Sequence, residues 1–298
     1  MAKIEPRRTL SRRAFVRQGA LLLAAPMLYG GDAWAEPPEA KPAVRIGLVT
    51  DLHYADRNPA GTRYYRETLG KLQEAVKRFG QDKTDAVIEL GDLIDGGDSL
   101  DAEKEYLRRI VKEFRAAPGR HHYVLGNHCV YALTKAEFLE AVGEKETYYC
   151  FDLAGWHFVI LDGCFRQDGT PYGRKNFEWT DAYVPPAELD WLRADLRQTP
   201  HKCVVFVHQR LDVAPPYGIK NAATVRQILE ASGKVLGVLQ GHYHRGDYRQ
   251  LGGIHYCTLT AMVEGPGPAG NAYAVMDILP GGAVRIAGFR KQRSHEWS

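Results

Sequence analysis

Long apolar runs, paired cysteines and a charge of one sign on the body are what this 298-residue sequence has little of. Its N-terminal apolar stretch, Ala20 to Leu28, falls far short of the ~20 residues a membrane-spanning helix needs. No membrane span is therefore expected in the mature chain. The five cysteines (Cys129, Cys150, Cys164, Cys203 and Cys257) are odd in number and show no CxxC spacing. Free thiols are the reading, with Cys150 and Cys203 buried in or beside strand-like runs and Cys129 a small packing residue. The formal charge of +3 is concentrated at one end. Residues 1–35 hold six basic and two acidic side chains, and removing that net +4 leaves the rest at −1. The body lacks the basic excess that a nucleic-acid polymer or an anionic membrane would call for. No internal repeat or long linker is present.

What the first 35 residues do have is an address. Ser11-Arg12-Arg13-Ala14-Phe15-Val16-Arg17 precedes the short apolar stretch, and Ala33-Trp34-Ala35 follows with small residues at the positions a signal peptidase reads. The paired arginines resemble a twin-arginine signal, which exports proteins already folded. The expectation is an exported, periplasmic or extracellular protein, with the twin-arginine export machinery as its transient partner. Residues 36–43 read as a flexible mature N-terminus, 44–290 as the domain and 291–298 as a tail.

Within the domain, strand-like and helix-like segments alternate. Val44 to Thr50, Ala86 to Leu90, Tyr123 to Leu125 and Val204 to Val207 are short apolar, β-branched or aromatic runs. Between them Leu69, Leu72, Val76 and Phe79, and later Leu107, Ile110, Val111 and Phe114, recur at helical spacing. After Gly241 the pattern becomes all strand. This order predicts a mixed α/β domain with two sheets. Gly163 to Pro186 is the one long irregular stretch.

Each strand runs into residues that are expensive to bury: Asp51 and His53, then Asp92, then Asn127 and His128, then His208, then His242 and His244. In open α/β sheets, ligands gather at the carboxyl ends of strands. An unpaired charge or imidazole there costs several kcal/mol, and a cation is the simplest compensation. Two Asp, one Asn and four His supply oxygen and nitrogen without thiolate, which suits Mn²⁺, Fe or Zn²⁺. Seven ligands exceed one tetrahedral site, so two divalent ions are expected; Asp92 is the natural bridge, and the ion pair can clamp both the attacking and the leaving oxygen of a displacement at phosphorus. Gly91, Gly126 and Gly241 precede three of the clusters, where a strand turns sharply or an ion nears the backbone.

Asp51-Leu52-His53, Gly91-Asp92, Gly126-Asn127-His128, His208 and Gly241-His242-Tyr243-His244 resemble, in order, the motifs of the calcineurin-like metallophosphoesterases. The resemblance spans roughly residues 44 to 290. It implies a four-layer αββα sandwich of two mixed sheets flanked by helices. It implies that Asp51, His53, Asp92 and His244 hold one metal, and Asp92, Asn127, His208 and His242 the other. His128 would face the substrate and protonate the leaving oxygen or stabilise charge, while a metal-bound hydroxide attacks phosphorus. The Asp at position 95 separates the chain from the purple acid phosphatases, which carry Tyr there. The surroundings of Asp92 and His244, and Gly253-Ile254-His255-Tyr256, look like the manganese-dependent ADP-ribose and CDP-alcohol diphosphatases. That subgroup has Gln at the place of His53 and Glu at that of Cys129.

The expected activity is hydrolysis of small nucleotide-type phosphodiesters or pyrophosphate linkages. A phosphomonoesterase and a non-catalytic metal-containing binding protein are the alternatives. Arg174, Lys175 and Trp179 in the long loop, with Arg245 beside His244, are the candidate substrate contacts, since cations mixed with aromatics suit a phosphate and a stacked base. Asp95 either supports a ligand His or caps the next helix. The remaining histidines match no motif and read as structural or surface residues.

Overall fold

The computed structural model describes residues 41–298; the export signal and most of the flexible segment read at 1–43 lie outside the described residues. Twelve strands fall into two six-stranded mixed sheets among these residues. The first contains β1 (Val44–Val49), β2 (Ala86–Glu89), β3 (Arg120–Tyr123), β10 (Ala272–Ile278), β11 (Val284–Arg290) and β12 (His295–Trp297). Its order is β12-β11-β10-β1-β2-β3, with β1, β2 and β3 parallel and the others antiparallel. The second contains β4 (Tyr149–Leu153), β5 (Trp156–Ile160), β6 (Cys203–Val207), β7 (Val235–Gln240), β8 (Arg245–Leu251) and β9 (Ile254–Thr260). Its order is β4-β5-β6-β7-β9-β8, parallel from β5 through β9 with antiparallel edges.

Three apolar cores stack these sheets into layers. Ile46, Leu48, Ile88 and Met276 of the first sheet interlock with Phe158, Phe206, Leu239 and Leu259 of the second. On the far side of the first sheet lie α1 (Thr68–Asp82), α2 (Leu100–Phe114) and α3 (Lys135–Val142), through Leu72, Phe79, Leu107, Ile110, Phe114 and Phe138. On the far side of the second lie α4 (Pro186–Gln198) and α5 (Ala222–Ser232), through Leu192, Leu196, Val225 and Leu229. The result is the expected αββα sandwich, because strands buried on both faces need a second layer on each side. No helix among the described residues is long and apolar enough to cross a membrane.

Three sequence expectations are corrected. Residues 291–298 are not a tail: β12 pairs with β11, and the Trp297 ring is buried between the sheets. The short α3 was not foreseen; its start is a capping box between Thr134 and Glu137, a local signal that periodicity alone misses. All five cysteines are free, as read, but Cys150 is exposed, because the alternation of the edge strand β4 turns it outward.

Truncating a buried indole leaves a cavity that the sheets cannot close. Trp297→Ala is expected to lower the free energy of unfolding by about 3–5 kcal/mol in urea titrations, a loss that a loose terminal tail would not give.

Candidate metal centre

The loops that leave β1 and β2 are tied to each other beyond the strands. Asp51 N–H donates to Gly91 O at 2.9 Å and His53 N–H to Asp92 O at 2.8 Å. The loops after β6 and β7 are tied likewise, Gly241 N–H to His208 O at 3.0 Å. Met262 and Val263, just past β9, donate to Thr50 and Asp51 and stitch the two sheet ends together. This brings all seven expected ligands to one place. Asp51, His53 and His244 offer atoms within 4.8 Å of one another, and so do Asp92, His208 and His242.

Every ligand whose contacts are resolved is held from outside by one atom and leaves the other facing inward. Asp51 Oδ2 accepts from Thr50 Oγ1 at 2.7 Å and His242 N–H at 3.0 Å, while its Oδ1 has no partner. Asp92 Oδ1 accepts from His128 N–H at 2.8 Å. Its Oδ2 lies 3.2 Å from His208 Nε2 and 3.5 Å from His53 Nε2, so this carboxylate touches both groups. His208 Nδ1 donates to Leu90 O at 2.8 Å; a carbonyl can only accept, which puts the proton on Nδ1. His244 Nδ1 meets Glu264 at 2.6 Å and His53 Nδ1 faces Asp95 at 3.2 Å. The inward atoms Asn127 Oδ1, His208 Nε2 and His242 Nε2 are buried without a hydrogen-bond partner. Buried donors and acceptors are rarely left so. Burial pushes the His242 pKa down to about 3, helped by the His208 charge, so it stays a bare nitrogen donor. Burial opposes ionisation of Asp51 and Asp92, but the neighbouring imidazoles win and hold both carboxyls well below their usual range. Two anions, an amide oxygen and four imidazoles around a shared volume fit two divalent cations.

The glycines serve close packing of ligand against ligand more than turning. A Cβ on Gly126 would sit 2.1 Å from Asp92 N and 2.3 Å from its Oδ1, and one on Gly91 would sit 2.3 Å from His208 Nδ1. Asp51, His53, Asp92 and His242 all hold left-handed backbone, with φ of 49°, 45°, 58° and 67°, a conformation non-glycine residues rarely keep without a functional reason.

A cavity of about 870 Å³ opens above the clusters. His128 lines it, with Nδ1 3.0 Å from Asp95. Asp95 also meets His53, Arg57 and Arg63, which settles its role as support for the site; the cap of α2 is Ser99. Trp179 and Arg245 line the cavity as expected. Arg174 and Lys175 do not: Arg174 is bound to Glu137 and the Ala132 carbonyl, and Lys175 lies over the Tyr131 ring. Left-handed backbone at both residues (φ 53° and 66°) turns this part of the loop away. Arg63, Tyr217, Tyr243, Glu264, Lys291 and Arg293 line the cavity and were missed: Tyr243 is the unspecified position inside the Gly241–His244 motif, and the others lie in no motif.

Fold and clusters together define a binuclear metal hydrolase site. Residues 44–246 match the calcineurin-like phosphoesterase family, and the chain belongs to that family. It is a metal-dependent phosphoester hydrolase. Relatives include the manganese-dependent ADP-ribose/CDP-alcohol diphosphatase of Arabidopsis thaliana, 26% identical over 286 residues covering 80% of this chain and 92% of that one. The enzyme of the same name from Danio rerio is 26% identical, covering 78% and 91%. A dimetal phosphatase structure from Danio rerio shares the fold with a TM-score of 0.76 at 22% identity, covering 86% and 99%. A purple acid phosphatase from yellow lupin seeds shares it more loosely, with a TM-score of 0.53 at 11% identity, covering 84% and 52%.

Glu264 orients His244 as carboxylates orient metal-binding imidazoles elsewhere, and losing such a partner costs about 10–100-fold in metal affinity. Glu264→Gln is expected to weaken metal binding by about that factor in chelator competition, and Gly126→Ala to do at least as much with the circular dichroism spectrum unchanged.

Proposed function

We propose that this enzyme cleaves small nucleotide-type phosphodiesters or pyrophosphate linkages, with Asp51, His53, Asp92 and His244 holding one metal and Asp92, Asn127, His208 and His242 the other. The observation that carries the reading is a cavity with two unlike walls. Beside His242 stand aromatics: Trp179 and Tyr217 ring centroids are 5.5 Å apart, and Tyr217 and Tyr243 are 5.0 Å apart. Arg245, Lys291 and Arg293 line the cavity with His244 and Glu264. Lys291 Nζ lies 3.3 Å from the Glu264 carbonyl, on the His244 side. A stacked base suits the aromatics and a second phosphate suits the cations. The volume matches a nucleotide-sized ligand and is generous for a bare monoester. The names of the Arabidopsis thaliana and Danio rerio relatives support the same class.

When bound, two divalent ions polarise the phosphoryl oxygens and supply a nucleophile near neutral pH. The chain's own contribution begins with Asp92, which spans both groups and sets their separation. His128 is the proton donor. Burial pushes its pKa down, but the Asp92 charge and the hydrogen bond to Asp95 push it up further, which favours the protonated form. The Nδ1 proton is held by Asp95, which leaves Nε2–H free to pass a proton to the departing oxygen. Trp179 and Tyr217 form one side of the cavity.

His128→Ala is expected to lower kcat by ~10²–10⁴ on substrates with a poor leaving group. The loss should be far smaller with p-nitrophenolate, which needs no proton; equal losses would remove His128 as the acid. Asp92→Asn is expected to abolish turnover and metal content together. Comparing p-nitrophenyl phosphate with its bis-ester tests the substrate class, and a clear preference for the monoester would favour the phosphatase alternative. Arg293→Ala should raise KM for ADP-ribose several-fold while leaving that for a simple diester nearly unchanged.

We further propose that residues 1–35 direct export after folding, supported by the Arg12-Arg13 pair ahead of an apolar stretch. Replacing both arginines with lysine should hold a fused reporter in the cytoplasm.

A further inference from the structure

A second group of metal-type donors sits away from the catalytic cavity. Asp152 on β4 lies opposite His157 on β5, and His157 lies opposite Cys203 on β6. Cys150, two residues before Asp152, shares its face of the sheet. Asp195, in the last turn of α4, reaches over that face. His157 Nε2 is 2.8 Å from Asp195 Oδ2, and Cys150 Sγ is 3.0 Å from Asp195 Oδ1. One atom each from Cys150, His157 and Asp195 falls within 4.8 Å of the others. On the other side of the ring, His157 Nδ1 is 2.7 Å from Asp152. The catalytic cluster is at the opposite end of the strands: His208 is five residues beyond Cys203 along β6, about 16 Å at strand rise.

We propose that Cys150, His157 and Asp195 form an independent site for a borderline divalent cation of the Zn²⁺ class, with Asp152 orienting the imidazole. The donor types are right for such an ion: one sulfur, one nitrogen, one carboxylate oxygen, leaving a fourth position open. Asp152 supplies the carboxylate–histidine support that metal-binding imidazoles use. Charge balances. Without metal, an imidazolium and a neutral thiol face two carboxylates. On binding, the thiol proton and the Nε2 proton leave to solvent and one divalent cation takes their place, so the local charge is unchanged. In tetrahedral zinc sites, neighbouring donors are about 3.3–3.7 Å apart by the usual bond lengths. The present 2.8 and 3.0 Å contacts run to different oxygens of Asp195, so whichever oxygen binds must open its short contact by roughly half an ångström, while the three donors already lie within 4.8 Å of one another. Cys150 is exposed, which provides the entry path. A disulfide does not compete, because β5 separates Cys150 from Cys203 by about two strand spacings, ~9.5 Å, beyond disulfide reach.

The test uses the absence of thiolate from the catalytic set. The full-length protein is stripped with chelator and reloaded with Co²⁺. Thiolate-to-cobalt charge-transfer absorption in the near ultraviolet then reports only on a cysteine-containing site. The wild type is expected to show this band with one equivalent of cobalt beyond the catalytic ions. Cys150→Ala, a change at an exposed position, should lose the band and that equivalent while keeping phosphoesterase activity. A wild type without the band overturns the proposal, and so does a band that survives in Cys150→Ala. Failure here would leave the activity untouched, so it is distinguishable from any failure of the catalytic reading.

Discussion

Two buried carboxylates surrounded by imidazoles govern this architecture. Asp51 and Asp92 are 0% and 2% exposed, and an ionised carboxyl at that depth is held only if its surroundings return what water would have given. Each divides its two oxygens. One is bound by hydroxyl or backbone N–H groups, and the other is aimed at imidazoles. The division needs backbone groups at particular spots, which explains why the strand-end loops of β1 and β2 hydrogen-bond to each other before the chain turns away. It also explains the left-handed backbone at Asp51, His53, Asp92 and His242. That geometry costs about 1–2 kcal/mol per residue, which the packed sheets below must overcome.

The sandwich is suited to that task because its three cores lie beneath the site and leave the strand ends little freedom. The site draws on both sheets: Asp51, His53, Asp92 and Asn127 follow strands of the first, and His208, His242 and His244 follow strands of the second. Neither sheet alone carries a full set for either group. Asp51 and His53 need His244 from across the sandwich, and Asp92 needs His208 and His242. The inter-sheet core around Phe206, Leu239, Ile88 and Leu48 therefore sets the spacing of the donors as well as the stability of the domain.

The ligands were legible in the sequence because each falls at a strand end beside a glycine or another polar residue. The layers were legible from alternating periodicities. What surrounds the ligands was less so. Glu264, Lys291 and Arg293 come from segments after β9 and β11 that carry no local signature. Lys291 and Arg293 sit in the turn between β11 and β12, which the pairing of those strands holds in place. Arg174 and Lys175 show the converse. Their composition suited phosphate, but the direction of a loop is decided by backbone torsions and by competing partners, here Glu137 and Tyr131. Asp95 could be read two ways until Ser99 was seen to cap α2.

His53 and Cys129, where the sequence differs from the motif pattern of the diphosphatases it resembles, both lie beside the buried carboxylates. Cys129 is fully buried and accepts the Leu93 N–H at 3.3 Å, just behind Asp92, so it packs the backbone that carries the bridging carboxylate. His53 faces Asp51 and His244 with one nitrogen and Asp95 with the other. An imidazole in place of a Gln amide exchanges a neutral oxygen donor for a nitrogen donor, and nitrogen favours iron or zinc over manganese more than oxygen does. Through Asp95 the same ring is also linked to His128, so one carboxylate positions both imidazoles. Neither departure alters the aromatic or the cationic wall. Both positions thus bear on the donor clusters, whereas Trp179, Tyr217, Arg245 and Arg293 line the cavity above them.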